Sequence, residues 1–165
     1  MKQLNLFREK VEKEFGGSLI IGRRKTKRPL DRKLPLHLVL KAQDPNLLLR
    51  NRRKIEQLVR RYAERFGLKI YSIGVQADHI HICISIPDRI LYVRWIRAFT
   101  SRAIALIPKL KWVLRPYTRI VTWGREFKNV LSYIQVNRLE GELLLDVHLK
   151  GEAKIKSILA EFGVT

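Results

Sequence analysis

Two histidines separated by a single residue, His79 and His81, are the pair in this 165-residue chain most suggestive of chemistry. They open the run His79-Ile80-His81-Ile82-Cys83-Ile84-Ser85-Ile86, whose strict alternation matches the two-residue period of a strand. Ile80, Ile82, Ile84 and Ile86 make an apolar face that needs a cover, while His79, His81, Cys83 and Ser85 point the other way. Imidazoles at i and i+2 lie roughly 6.5–7 Å apart along the backbone, close enough for both to reach one divalent ion. A half-polar sheet face would look the same, and two ligands do not complete a catalytic metal site. A third group has to come from elsewhere in the chain.

The segment from Trp123 to Arg138 supplies a candidate. Phe127, Val130, Leu131 and Ile134 recur as the apolar stripe of a helix, and Tyr133 and Asn137, four apart, share one flank of it. Docked near the histidine face, this helix would bring a phenol and an amide oxygen to the two imidazoles. On spacing alone, a tyrosine beside an apolar stripe is more often a core-edge residue with a solvated hydroxyl.

Positioning these groups requires a folded domain, and the composition allows one. The chain is 46% hydrophobic and long enough for one core, too short for two comfortable ones. Its 34 Lys and Arg outnumber 15 Asp and Glu, for a net charge of +19. That excess attracts polyanions, nucleic acid first and an anionic membrane a distant second. No segment approaches the roughly 18 apolar residues of a membrane span, and no signal-peptide pattern is found, so a cytoplasmic, nucleoid-associated protein is expected. The single cysteine, Cys83, excludes an intrachain disulfide.

Leu4, Phe7, Val11 and Phe15 predict a short N-terminal helix that Gly16-Gly17 stops. Residues 23–33 carry seven basic side chains in eleven and read as a solvated arm able to touch phosphates. Leu36, Leu38 and Leu40 alternate with His37, Val39 and Lys41, which predicts a strand; His37 and His148 read as ordinary strand and tail residues. A helix over 47–66 buries Ile55, Leu58, Val59, Tyr62 and Phe66. A strand over Leu68–Val75 turns through Gln76-Ala77-Asp78 into the histidine strand. Asp88 caps a helix through about Ile107 with Ile96, Phe99, Ala103 and Leu106 as its buried stripe. Tyr117–Trp123 predicts the next strand, and a last helix runs from Arg125 to about Arg138 before Glu140-Gly141. The order predicts an α+β fold, a ferredoxin-like split βαβ antiparallel sheet with two helices on one face and an added C-terminal helix. The expected organisation is an N-terminal helix and basic arm over 1–34, a domain over 35–141 and a C-terminal extension over 142–165.

With these elements in place, His79-Ile80-His81 resembles the HUH motif of single-tyrosine transposases. Tyr133-Ile134-Gln135-Val136-Asn137 resembles their catalytic-helix signature, a Tyr followed four residues later by Gln or Asn. Asn137 is more like the REP-associated tyrosine transposases than the simpler insertion-sequence enzymes, although Arg138 stands where that branch commonly has Pro. The resemblance covers roughly Pro35 to Gly141. It implies an enzyme that cleaves and rejoins hairpin-flanked single-stranded DNA, with Tyr133 as nucleophile and a 5′-phosphotyrosine intermediate. It implies Mg²⁺ or Mn²⁺ on His79, His81 and Asn137; Asp78, directly before His79, is the rival third donor by position, although its ordinary role is that of a hairpin-turn residue. A phenol titrates near about pH 10, so a nearby cation or base must favour phenolate.

Arg23, Arg24, Lys25, Lys27 and Arg28 of the arm, Arg52, Arg53 and Arg60 of the first long helix, and Arg94, Arg97 and Arg102 of the second are candidates to hold the DNA backbone. Trp95, Trp112, Trp123 and Tyr117 are candidates to stack on unpaired bases, although most such aromatics are core residues. Relatives include monomers and homodimers in which the tyrosine helix acts in trans, and both stay open. The rival readings are a non-catalytic single-stranded nucleic-acid-binding module and a histidine-dependent phosphodiesterase using water.

Overall fold

The isoleucine–histidine alternation is satisfied by a sheet covered differently on its two sides. The computed structural model describes residues 13–24 and 26–161, without the side chains of 145–146, 148–149 and 152–161. Of the helix expected over Leu4, Phe7, Val11 and Phe15, the first three residues lie outside the described residues, as does Lys25, whereas Phe15 lies in a strand, held by pairing with Thr118. Five strands, β1 (Glu14–Phe15), β2 (Leu36–Ala42), β3 (Lys69–Val75), β4 (His79–Ser85) and β5 (Trp112–Ile120), form one sheet of order β1-β5-β2-β4-β3, antiparallel throughout. Among the described residues four α-helices accompany them, α1 (Leu47–Arg50), α2 (Arg52–Arg65), α3 (Arg89–Leu106) and α4 (Arg125–Glu161), with one short 3-10 turn over Gly17–Ile20.

The isoleucine face holds the main core. Ile80, Ile82 and Ile84 are fully shielded and Ile86 nearly so, packed with Leu36, Leu38 and Leu40 of β2 under Ile55 and Val59 of α2 and Trp95, Phe99 and Ala103 of α3. Each such aliphatic contributes about 1.5–3 kcal/mol relative to exposure. Asp88 caps α3 as expected, its Oδ1 accepting from the Leu91 N–H at 2.8 Å. The buried stripe of α3 is rotated from the expected one: Tyr92, Trp95, Phe99 and Ala103 face inward, Ile96 is half-buried and Leu106 exposed. Aromatic packing sets that rotation, because Tyr92, Trp95, Phe99 and Trp112 form a chain of rings with centroids 6.0–6.2 Å apart.

The fifth strand also starts earlier than expected and ends at Ile120. Pro116 lies inside it without breaking the ladder, since a bulge between Val39 and Lys41 leaves residues 114–116 facing Leu40 alone. Thr122, Trp123 and Gly124 (φ 92°) then turn the chain into α4.

Helix α4 lies on the opposite face and does not stop at Gly141; it runs unbroken to Glu161. Two glycines explain its course. A Cβ at Gly74 of β3 would lie 2.8 Å from the Ile134 carbonyl oxygen, and one at Gly141 would lie 2.6 Å from the Val75 carbonyl oxygen. Both bare Cα positions let helix and strand touch backbone to backbone, so Gly141 serves close packing rather than termination. Val130 and Ile134 are buried there with Cys83 and Val121, flanked by Tyr71, Phe127 and Leu131.

Candidate active site

Register brings the site together. Pairing of β2 with β4 sets His37 opposite Cys83, Val39 opposite His81 and Lys41 opposite His79, all on the α4 side of the sheet. His37 and His81 are diagonal neighbours, and diagonal pairs lie within reach of ring side chains. Their rings stack with centroids 5.3 Å apart, and His37 Nε2 is 3.1 Å from His81 Nδ1. The His79 and His81 rings meet edge to face at 4.6 Å. From α4, the Tyr133 ring approaches His81 edge-on at 5.1 Å and His37 at 6.3 Å, and the tyrosine is 51% exposed. Phenol and histidine pair therefore share one site on the sheet's second face.

Each histidine has its own electrostatic surroundings. Burial holds His81 down to about 3, helped by His37 and His79. His37 is held down to about 4 by burial and by the Arg119 guanidinium of the neighbouring strand. Both are neutral imidazoles at pH 7. His79 Nδ1 lies 2.6 Å from Asp78 Oδ1, whose other oxygen is 3.3 Å from Lys41 Nζ. Partial burial would raise the Asp78 carboxyl, but hydrogen bonds from His79 and Lys41 outweigh it and hold it below its ordinary value.

Asn137 stands one turn beyond Tyr133. Its Nδ2 donates to the Tyr133 carbonyl at 2.8 Å, and its Oδ1 lies 3.4 Å from Nε2 of Gln76, which also donates to the Asn137 carbonyl. Gln76, buried in the β3–β4 turn, thus pins the helix to the turn that leads into His79.

One buried atom tests whether these residues suit a divalent cation. His81 Nε2 is shielded from solvent and has no hydrogen-bond partner. Leaving such a nitrogen unsatisfied costs about 1–3 kcal/mol, a cost that a cation beside its lone pair would remove. His79 Nε2 also makes no hydrogen bond among the described residues, its Nδ1 being taken by Asp78. Among the described residues no cluster of three or more His, Cys, Asp or Glu is placed to hold a metal. The two imidazole nitrogens are donors that suit a divalent cation, whereas the Asn137 amide oxygen lies beside Gln76 Nε2.

The cations expected to hold DNA divide sharply. Arg53, Arg60, Arg94, Arg97 and Arg102 are exposed on α2 and α3, with the sheet between them and Tyr133. Arg23, Arg24 and Lys27 are exposed in the arm. Arg28 turns inward instead, 2.5 Å from Thr118 Oγ1 and 4.7 Å above the Phe15 ring. Arg52 pairs with Glu142 of α4, which also binds Arg138 at 3.1 Å. Of the aromatics, Trp95 is core, whereas Trp123 is 50% exposed beside Tyr71 and Phe127. Sequence reasoning missed His37, the Asp78–Lys41 pair and Arg119. The parity of β2 placed His37 on the side away from its leucines, but only the register shows which β4 residue it meets.

Fold and site define a class: an α+β domain with a strand-borne His-x-His pair facing a helix-borne tyrosine. Residues 32–136, well over half of the chain, match the family model described as IS200-like transposase, and the chain belongs to that family. A REP-associated tyrosine transposase, solved bound to a REP hairpin, is similar in fold over 71% of this chain and 73% of its own, at 12% identity and TM-score 0.56. A putative transposase from Deinococcus radiodurans aligns over 70% of this chain and 98% of its own, at 17% identity and TM-score 0.45. No curated protein matches the sequence. No described helix is long and apolar enough to cross a membrane.

Proposed function

We propose that this transposase-family chain cleaves and rejoins hairpin-flanked single-stranded DNA, with Tyr133 as nucleophile and His79, His81 and Asn137 as the protein ligands of Mg²⁺ or Mn²⁺. The observation that carries the reading is the half-exposed Tyr133 ring standing 5.1 Å from the His81 ring, whose buried Nε2 has no partner among the described residues. Strand order β5-β2-β4-β3 with α2 and α3 on one side supports the ferredoxin-like split βαβ frame. The relative bound to a REP hairpin supports hairpin DNA as the partner.

Tyr133 Oη attacks a backbone phosphorus; the new Oη–P bond replaces the P–O3′ bond, and the departing 3′-oxygen takes up a proton while the phenol loses one. The bound cation would polarise that phosphate and offset charge on the leaving oxygen. His79 and His81 would hold that cation, and α4 carries the phenol beside them. A second 3′-hydroxyl then attacks the 5′-phosphotyrosine; its P–O3′ bond replaces the Oη–P bond, the hydroxyl gives up its proton and Tyr133 Oη takes one back, which restores the diester with no nucleotide cofactor. The helix serves its own subunit's histidines or, in a homodimer, those of the partner.

The test uses hairpin DNA from the gene's own flanks, labelled at each end, with purified protein, Tyr133→Phe, and Mn²⁺ or EDTA. The expected result is an SDS-resistant, metal-dependent adduct on the 3′-side fragment, lost by more than 10³-fold in Tyr133→Phe while binding stays within a few-fold. Tight binding with no adduct across several flank substrates would favour a binding module. Metal-dependent cutting that survives Tyr133→Phe would favour water as the nucleophile.

A further inference from the structure

We propose that His37 is a positioning residue for His81, as Asp78 is for His79: each accepts a hydrogen bond from its partner's Nδ1–H, which keeps the ring proton there and leaves the Nε2 lone pair free for a divalent cation. The inference rests on reading His79 and His81 as the ligand pair.

A neutral imidazole carries one ring proton, so a histidine that ligates through Nε2 must keep its proton on Nδ1 and needs an acceptor there. His79 has the Asp78 carboxylate at 2.6 Å, itself steadied by Lys41. His81 lies in the interior of β4, only 4% exposed under α4, where water cannot serve. Its acceptor is His37 Nε2, 3.1 Å away on the neighbouring strand.

Only one proton fits between those two nitrogens, so the contact has two possible arrangements. In one, His37 donates and His81 carries its proton on Nε2, which then becomes a buried donor with nothing to receive it. In the other, His81 Nδ1–H donates to His37 and Nε2 presents a lone pair. A cation is compatible with the second alone. That arrangement puts the proton of His37 on Nδ1. There His37 lines a cavity of about 400 Å³ with Tyr117, Arg119, Asn129 and Tyr133, which leaves room for water to accept it. The two supports differ in kind: a charged acceptor at the exposed end of the strand, and a neutral one in its buried middle.

The experiment uses the full chain without DNA. Mn²⁺ affinity, read by electron paramagnetic resonance, is compared for wild type, His37→Phe, His37→Gln and Asp78→Ala. His37→Phe keeps the ring but has no acceptor, and affinity should fall by about 10–100-fold, the usual effect of losing an outer-shell partner. His37→Gln, whose amide oxygen can accept, should recover most of that loss, and Asp78→Ala should fall comparably to His37→Phe. Hairpin binding in EDTA should change less than 3-fold in all three.

Wild-type affinity in His37→Phe would overturn the proposal, provided His81→Ala weakens Mn²⁺ binding. If His81→Ala leaves Mn²⁺ binding unchanged, the ligand assignment itself has failed. A second readout needs no variant: ¹⁵N-detected imidazole spectra of the Mn²⁺-free wild type should show the His81 proton on Nδ1 and the His37 proton on Nδ1. An Nε2-protonated His81 would overturn the proposal even if the His37 variants do not fold.

Discussion

The two faces of this sheet are built from alternate residues of the same strands, yet they obey different rules. On the isoleucine face the inward side chains are apolar apart from Thr118, which pairs opposite Leu38 and accepts from Arg28, and two helices seal it. On the histidine face one helix covers β3 and part of β4, and the polar groups at its margin pair with one another: His37 with His81, Asp78 with His79 and Lys41. The first face supplies free energy through area removed from water. The second places donors and acceptors, and among the described residues the His81 Nε2 there has no hydrogen-bond partner.

The sharpest way to break the comparison is to truncate neighbours that point in opposite directions. Ile80→Ala removes a fully buried side chain and should cost about 2–5 kcal/mol in urea denaturation. His79→Ala, one residue away and partly exposed, should change stability by about 0.5 kcal/mol or less while abolishing metal-dependent cleavage. Comparable stability losses in both would mean that the histidine face is also a folding core.

Next in size is the seam that docks α4. Gly141→Ala forces a methyl group to within 2.6 Å of the Val75 carbonyl oxygen and 3.3 Å of Leu49 Cδ1. Overpacking of that kind costs about 1–3 kcal/mol, and it should also tilt the helix and reduce cleavage. Gly151→Ala, with nothing within 4 Å, is the control on the same helix. Equal melting temperatures for the two variants would show that α4 is not held by backbone contact.

Legibility in the sequence follows the same division. Apolar alternation is a local signal, so the isoleucine face, the histidine strand, α2 and the stripe Phe127-Val130-Leu131-Ile134 were all readable. The rotation of α3 was not, because competition between aromatic rings and aliphatics for one core is settled in three dimensions. Gly141 was misread for a related reason: a glycine that ends a helix and one that admits a neighbouring backbone look identical in sequence. His37 illustrates the limit most clearly. Its parity was visible, but its contact joins residues 44 apart in sequence and depends on strand pairing and on the diagonal offset between the strands.

A smaller effect is expected where β5 meets α4. Glu126 accepts from the Thr122 N–H and hydroxyl and from Arg119 at 2.6 Å, fastening the start of the helix to the strand before it. Those bonds, Thr122 first, hold its carboxyl down to about 2 from the ordinary 4.5. A carboxylate lowered on folding stabilises fully above about pH 4.5 and loses that contribution as the pH falls through about 2. Glu126→Gln should cost about 1–2 kcal/mol at pH 7. The gap between variant and wild type should narrow by pH 2.5 in parallel urea titrations. A gap that does not depend on pH would trace the loss to shape rather than charge.

The smallest change separates two parts of the histidine face itself. Cys83 shares that face with His79 and His81 but is fully shielded by α4 and Val121, and burial pushes its thiol up to about 12. At pH 8 only about one thiol in ten thousand would be thiolate, the form that attacks disulfide reagents. Native protein should therefore leave an aromatic disulfide reagent unreacted for hours at pH 8, and react with one equivalent in 6 M guanidinium chloride. Rapid labelling of the native protein would mean that α4 lifts from the sheet often enough to expose β4. A helix that lifts so readily could not hold Tyr133 over the histidines at a fixed distance. The inert thiol thus reports on the same docking that Tyr133, as the proposed nucleophile, requires, from the dry end of the face rather than the wet one.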